Sequence, residues 1–129
     1  MSITQSPMLV DLSALGNLTT IERTLMINSI AATSLDAFSN LQSVGASIYI
    51  SECPNLETIS GLATNMTSFG THESIGTYDS DAMSVIESLL YVYLNDALCQ
   101  DDVDATATML ENIGWEGRSM GYDNNGTCN

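Results

Sequence analysis

The chain of 129 residues contains no lysine, and its two arginines, Arg23 and Arg118, face 16 carboxylates. The formal net charge at pH 7 is therefore −14. Without a basic stripe the chain cannot neutralise a run of phosphates, which excludes nucleic acid and anionic membrane surfaces as expected partners. Serine, threonine and asparagine are abundant instead, and they must provide most of the polar surface. Such a surface is typical of an extracellular or cell-surface protein.

Long apolar runs and a secretory leader are also missing. The longest unbroken apolar run, residues 89–94, has six residues, whereas a transmembrane helix needs roughly 20. We therefore expect no membrane insertion. The first ten residues have neither the basic nor the apolar region of a signal peptide. Because the composition still favours export, we expect a mature form, an engineered fragment or a piece of a longer protein.

A repeat of apolar positions is the strongest pattern that is present. Residues 9–27 and 32–50 align at an offset of 23, and seven positions in each copy are apolar. They are Leu9, Leu12, Leu15, Leu18, Ile21, Leu25 and Ile27, followed by Ala32, Leu35, Phe38, Leu41, Val44, Ile48 and Ile50. At the chain's apolar frequency of 44%, chance would give this match about once in 10⁵ trials. A fixed period of this length predicts a repeat architecture.

Two further copies are less regular. The third contains Leu56, Ile59 and Leu62, and it needs one inserted residue to bring in Met66 and Phe69. The fourth lies at an offset of 42 from the second, with Met83, Ile86, Leu90 and Val92 in place of Leu41, Val44, Ile48 and Ile50. Because two full repeats would need a longer connection, we expect an irregular turn near residues 77–81.

Each copy has two kinds of apolar spacing. The spacing of three fits neither an α-helix nor a strand, and it favours turns and short 3₁₀ pieces. Each copy then ends in an alternating pattern such as Ile48, Tyr49 and Ile50, which predicts a strand. Stacked copies would place these strands side by side in a parallel sheet over a continuous apolar core.

The first residues align with the middle of a repeat. Residues 1–9 match residues 48–56, including Pro7 with Pro54. We therefore expect the chain to begin directly at a strand. The edge of that strand would be covered either by residues missing upstream or by another molecule.

The C-terminal part resembles a cap. Acidic residues, with Asp101 or Asp102 as the N-cap, begin a predicted helix over about residues 102–113, and Gly114 ends it. Its apolar face would be Val103, Ala107, Leu110 and Ile113. Residues 115–122 are expected to be extended. Cys99 and Cys128 bracket the whole segment, so we predict a disulfide between them and a free Cys53.

Residues 17–28 (NLTTIERTLMIN) and 40–62 (NLQSVGASIYISECPNLETISGL) resemble the repeats of bacterial leucine-rich-repeat proteins related to the receptor L domain. Residues 97–128 resemble the segment that closes such proteins. The resemblance implies a mainly β, right-handed solenoid with a parallel sheet, about four to five coils of roughly 21–24 residues each, and a short C-terminal helix cap. It also implies a secreted or surface-anchored, non-enzymatic protein. We expect one structural domain, with the repeat solenoid at residues 1–98 and the cap at residues 99–129.

The outward positions of the predicted strands carry the candidate binding surface. They include Met26, Tyr49, Tyr91 and Tyr93. Aromatic side chains on a sheet can stack on sugars or anchor a protein partner. The alternative is that the tyrosines only pair across strands.

Other candidate sites have weaker support. Two acidic clusters, Asp79 with Asp81 and Asp101, Asp102 with Asp104, lack a calcium-loop pattern and are expected to be solvated. The single histidine, His72, has no spacing that suggests a triad, so we expect no catalytic residues, metal or cofactor. Three sequons make Asn17, Asn65 and Asn125 candidate glycosylation sites, which would make the chain a glycoprotein.

Two functional hypotheses follow. In the first, the chain is a structural protein that associates with itself end to end through its N-terminal strand edge and forms a filament. In the second, it is a recognition module that binds an extracellular protein or glycan through the tyrosine-bearing sheet.

Overall fold

The computed structural model of the protein describes residues 1–81 and 83–128. Asn129, the last residue of the predicted cap, lies outside the described part. So does the side chain of Asp79, which belongs to one of the two acidic clusters. The described residues form ten strands, β1 to β10 in chain order: Ser2–Ser6, Thr20–Ile21, Leu25–Ile30, Ser43–Val44, Ile48–Ser51, Ser68–Phe69, Tyr78–Asp79, Ser84–Val85, Leu89–Tyr93 and Arg118–Tyr122. Three short 3₁₀ helices, Ser13–Leu15, Asp36–Phe38 and Ser60–Ala63, accompany them, together with the α-helix α1, Gln100–Asn112.

The expected parallel sheet is confirmed. Its strand order is β1-β3-β5-β9-β10, and every neighbouring pair is parallel. A second parallel ladder contains β2, β4 and β6, whereas β7 and β8 form an antiparallel hairpin. The fold is therefore mainly β, with a parallel sheet and a short helix.

The repeat positions supply the core. All seven apolar side chains of the second copy, from Ala32 to Ile50, are at most 1% exposed. In the first copy Leu9, Leu15 and Leu18 are only partly buried, because β1 and its flanking residues lie at one edge of the main sheet. The third copy, including Met66 and Phe69 beyond its inserted residue, is buried as predicted.

The offset between paired strands of the main sheet is not constant along the chain. Met26 of β3 lies beside Ser2 of β1 and beside Tyr49 of β5, so the first three strands keep a nearly constant offset. Tyr49 then pairs directly with Tyr91 of β9, and this connection is almost twice as long as the two before it. The connection from Tyr91 to its β10 partner, Met120, also exceeds one repeat. The offset of 42 is the one expected between the second and fourth copies, and the third copy contributes β6 to the second ladder but no strand between β5 and β9.

The long connection changes the interpretation of the fourth copy. Leu90 and Val92 align with Ile48 and Ile50, as predicted. Met83 does not replace Leu41 in the core: it is 78% exposed, because it lies between the two strands of the β7–β8 hairpin. The irregular turn expected at residues 77–81 is thus part of this hairpin.

A row of left-handed residues runs across one end of the main sheet. Each of the five strands has, within it or immediately after it, one non-glycine residue with φ between 52° and 57° at the equivalent register position. These residues are Gln5, Ser29, Glu52, Leu94 and Asp123. Left-handed backbone costs a non-glycine residue roughly 1 kcal/mol or more. We call these five positions the left-handed corners, and at each of them the backbone conformation is unfavourable for the residue present.

The expected C-terminal helix is confirmed, with different bounds. Helix α1 begins at Gln100, and its N-cap is Cys99, whose sulfur accepts a hydrogen bond from the N–H of Asp101. The proposed caps Asp101 and Asp102 are therefore wrong. Asp102 instead accepts bonds from Thr58 Oγ1 (3.0 Å) and the N–H of Ile59 (2.7 Å), which attach the helix to the third copy.

The apolar face of α1 is shorter than predicted. Val103, Ala107 and Leu110 are buried, but Ile113 follows the end of the helix and is 36% exposed. Gly114 ends the helix with φ at +98°, as expected. The Cys99–Cys128 disulfide is confirmed, and Cys53 is a buried free thiol.

Candidate binding surface on the parallel sheet

The outward face of the main sheet presents two neighbouring rows of side chains. Residues in a strand alternate between the two faces, and the core takes Ile27, Ile50 and Val92. The first outward row is therefore Ser2, Met26, Tyr49, Tyr91 and Met120, in the order of the strands. The second row is Thr4, Asn28, Ser51, Tyr93 and Tyr122.

Four of these side chains form a tyrosine cluster: Tyr49, Tyr91, Tyr93 and Tyr122. The ring centroids of Tyr91, Tyr93 and Tyr122 form a triangle with sides of 4.7, 5.2 and 5.9 Å. Tyr93 and Tyr122 stack with only 18° between their planes, whereas Tyr49 meets Tyr91 edge to face at 5.9 Å. Such pairs contribute about 0.5–1.5 kcal/mol beyond their buried area. The rings therefore hold one another in place.

Within the first row, Met26 and Met120 lie on either side of Tyr49 and Tyr91. Met26 is 41% exposed and Met120 is 37% exposed, and Tyr122 is the most open of the four tyrosines at 43%. We call the four tyrosines with Met26 and Met120 the tyrosine–methionine face. Single exposed apolar residues are ordinary, but a contiguous patch of large ones marks an interaction surface.

Two hydroxyls of the face form a hydrogen-bonded pair. The bond joins the phenol oxygens of Tyr91 and Tyr122 over 3.1 Å. It is the main reason that the pKa of Tyr122 rises to about 12, from 10.0 for an ordinary tyrosine. Since Tyr122 stays protonated at physiological pH, the pair offers both a donor and an acceptor to a partner.

Hydrogen bonds within the second row and beside it fix the strands that carry the row. Asn28 Nδ2 donates to Ser51 Oγ at 2.9 Å, which joins β3 to β5 next to the cluster. Asn124 Nδ2 donates to the carbonyl of Val92 and to Gln100 Oε1, both at 3.0 Å. The strand that carries Met120 and Tyr122 is therefore fixed both to β9 and to the start of α1.

The structure brings together all four binding residues predicted from the sequence: Met26, Tyr49, Tyr91 and Tyr93. Sequence reasoning missed Met120 and Tyr122, because α1 separates β10 from the repeats. The sequence does contain a pattern that indicates them: Met120 and Tyr122 lie on either side of a glycine, just as Tyr91 and Tyr93 lie on either side of a valine.

The three candidate glycosylation sites lie on the surface. Asn17, Asn65 and Asn125 are all exposed. Asn65 Nδ2 donates to the carbonyl of Ser39 at 2.7 Å, and Asn125 Nδ2 donates to the carbonyl of Asp123 at 3.4 Å. A glycan on either residue would replace one of the two amide hydrogens and leave the other able to donate.

The predicted cluster of Asp101, Asp102 and Asp104 directs its carboxylates to different partners. Asp102 binds the third copy, whereas Asp104 Oδ1 accepts a bond from Gln100 Nε2 at 3.0 Å. Asp101 lies near the sulfurs of Cys99 and Cys128, but both sulfurs are in the disulfide and cannot act as thiolate ligands. His72 Nδ1 contacts Ser74 Oγ, two residues away, at 2.7 Å.

No helix of the described chain is both long enough and apolar enough to span a bilayer. Comparison with protein-family models, with curated proteins and with solved structures finds no match to this chain.

Proposed function

We propose that this protein is a non-enzymatic, extracellular recognition module that binds a protein partner through the tyrosine–methionine face. The observation that carries the proposal is the cluster of four tyrosines, one exposed and three partly exposed, with two exposed methionines beside it on one face of the parallel sheet. Tyrosine is enriched among residues that dominate binding energies, and methionine adapts its shape to a partner.

A protein partner fits this face better than a sugar does. A pyranose ring stacks on a free aromatic face, whereas Tyr91, Tyr93 and Tyr122 pack much of their ring area against one another. Their edges and the two flanking thioethers are available instead. With a net charge of −14, the chain favours a partner surface that is apolar at its centre and neutral or basic around it.

The proposed architecture is a right-handed, leucine-rich-repeat-like solenoid at residues 1–98 with a cap at residues 99–129. The nearly constant offset between β1, β3 and β5 and the 3₁₀ helices at equivalent positions support it. Parallel crossovers in one sheet are right-handed in almost all proteins. The Cys99–Cys128 disulfide supports an oxidising, extracellular location.

Photo-crosslinking can identify the partner. A photoreactive side chain at Met120 should capture a specific protein from the extracellular fraction of the source organism, and the same group at Met8, which is 88% exposed elsewhere, should not. The captured protein is then purified and its affinity measured directly.

The binding measurement compares two triple variants. Replacing Tyr49, Tyr91 and Tyr93 with alanine should weaken binding at least about tenfold. Replacing the exposed Met8, Val10 and Met83 with alanine is the matched control and should leave it unchanged. Equal affinity of both variants would refute this surface, and loss of a glycan-array signal in the tyrosine variant would assign the face to carbohydrate.

End-to-end self-association is the second candidate. Strand β1 forms an edge of the main sheet, and Met8 and Val10 beside it are 88% and 65% exposed. Unpaired backbone groups at an edge can accept another strand, and a contact between β1 and the β10 edge of a second copy would propagate into a filament. Sedimentation velocity at increasing concentration tests this, and a monodisperse monomer throughout would contradict it.

Glycosylation at Asn17, Asn65 and Asn125 remains a proposal. Intact-mass measurement of the native protein, before and after glycosidase treatment, decides it.

A further inference from the structure

A cavity of about 500 Å³ lies apart from the tyrosine cluster. It forms where the long connection between β5 and β9 meets the segment that follows α1, and three chain segments line it: residues 69–76, 85–88 and 114–118. Pockets for small ligands usually have volumes of about 300–1,000 Å³. The long connection between β5 and β9 therefore helps to form a concave site whose volume lies in the range of ligand pockets.

The floor of the cavity is rigid. The rings of Phe69 and Trp115 pack with their centroids 5.0 Å apart, and both side chains are at most 6% exposed. Trp115 Nε1 donates a hydrogen bond of 2.9 Å to Ser88 Oγ, which in turn donates to the carbonyl of Ala46. A Cβ atom at Gly117 would collide with both Ser88 and Trp115, so the close approach at this position requires glycine.

The walls are apolar and open. The lining includes Val85, which is 55% exposed, and the half-buried Ile75 and Ile86. Gly76 and Gly114 also line the cavity, and neither has an atom within 4 Å of the place where a Cβ would lie. An aliphatic chain can therefore lie against the wall and the floor without displacing a side chain.

The rim carries an excess of negative charge. Glu87, Glu116 and Arg118 surround the opening, and Arg118 Nη2 pairs with Glu87 Oε1 at 3.4 Å. Among the described residues Glu116 has no ion-pair partner, so one carboxylate at the rim is uncompensated. The net charge of −14 adds a long-range field of the same sign.

From this combination we propose that the cavity binds an alkylammonium group, with the aliphatic stem against Val85 and Ile86 and the ammonium at Glu116. A carboxylate ligand would meet the same rim with repulsion. A free amine and a lysine side chain of another protein share this chemistry.

The chain contains a single tryptophan, and it lies in the floor of this cavity. Fluorescence excited selectively at tryptophan therefore reports occupancy. Hexylamine should shift the emission of Trp115 in a saturable way, with an affinity at least about tenfold above that of hexanoate. A lysine-containing neutral peptide that binds more tightly than hexylamine would identify a protein as the source of the group, and weaker binding would identify a small amine.

Variants test the site itself. Val85→Trp should fill the cavity and abolish the response of the amide signals of Gly76 and Gly114 to hexylamine in nuclear magnetic resonance spectra. Val10→Trp is the matched control, since Val10 is an exposed valine (65%) that does not line this cavity. Glu116→Gln should weaken binding about two- to fivefold, the effect of losing an exposed ion pair.

Hexylamine titration of the wild-type protein tests the proposal even if a variant fails to fold. Absence of saturable shifts at Gly76 and Gly114 with millimolar hexylamine would overturn it, and so would equal binding of hexylamine and hexanoate. Loss of partner binding at the tyrosine–methionine face would leave these results unchanged, because the probes enter a different site.

Discussion

The backbone N–H of Cys53 donates a hydrogen bond of 3.0 Å to Oδ1 of Asn95, a residue 42 positions later that is fully buried. Asn95 Nδ2 donates to the carbonyls of Ile50 and Tyr93 and to Asn124 Oδ1. One amide group therefore contacts backbone groups at the ends of β5 and β9, and it also binds the side chain of Asn124 in the segment after β10.

Asn95→Ala should lower the free energy of unfolding by roughly 2–4 kcal/mol, because it leaves several buried polar groups without partners. Asn55→Ala is the control: Asn55 is exposed, and its replacement should change stability by no more than about 0.5 kcal/mol. Urea denaturation monitored by circular dichroism measures both. Similar stabilities of the two variants would show that the network contributes little.

The left-handed corner at Leu94 provides a second prediction. Its φ of 57° is unfavourable for a branched residue. Leu94→Gly and Leu94→Ala remove the same partly exposed side chain, but only glycine adopts this conformation without strain. The glycine variant should therefore be more stable than the alanine variant by about 1 kcal/mol. Thermal unfolding of the pair compares them, and an alanine variant of equal or higher stability would contradict strain at this corner.

The buried thiol of Cys53 should make stability depend on alkaline pH. Burial raises the pKa of this thiol above its ordinary 9.0, since the thiolate cannot be hydrated in the core. The contribution of the protonated thiol to the free energy of unfolding is fully present below the unfolded-state pKa. It is lost as pH rises above 9.0 toward the raised pKa of the folded state. The free energy of unfolding should therefore fall in that range.

Cys53→Ala serves as the control, because this variant should show a shallower decline over the same pH range. Chemical denaturation at a series of alkaline pH values measures the two slopes. Identical slopes would mean that the thiol does not titrate differently in the folded and unfolded states.

The tyrosine cluster has a spectroscopic signature. In an ultraviolet titration one phenol, Tyr122, should ionise with a pKa of about 12. Tyr91→Phe removes the hydrogen bond that is the largest cause of this shift, so the pKa of Tyr122 should move back toward 10.0. Tyr78→Phe changes an exposed tyrosine of the hairpin and should leave the high transition in place. A high transition that survives Tyr91→Phe would contradict the hydrogen-bonded pair.

The disulfide should anchor the C-terminal elements to the sheet. Replacing both Cys99 and Cys128 with serine should lower the free energy of unfolding by about 3–4 kcal/mol, the expected effect of opening a loop with a sequence separation of 29. Hydrogen exchange should accelerate first in β10 and α1. Uniform acceleration across the main sheet would instead show that the two parts unfold together.

Local apolar spacing predicted the regular part of the fold well. The second copy and the core positions Leu90 and Val92 followed directly from it, because a side chain that alternates with its neighbours on a strand must point into the core or out of it. The same logic placed Met26, Tyr49 and Tyr91 in one outward row.

The missed features depend on contacts between distant residues. The pairing of β10 with β9, which adds Met120 and Tyr122 to the face, spans a helix and follows no repeat. The exposure of Met83 depends on a hairpin that apolar spacing does not indicate. The left-handed corners carry no glycine, so the usual sequence signal for that conformation was absent.

The Cys99–Cys128 bond also determines how the molecule responds to mechanical force. A pull applied at Cys128 passes through the sulfur atoms to Cys99 and from there into β9, the neighbour of the central strand β5. Helix α1 and strand β10 belong to the covalent loop that this path bypasses, so they bear no tension. Under load, Tyr91 and Tyr93 would be strained before Met120 and Tyr122, and reduction of the disulfide would reverse that order.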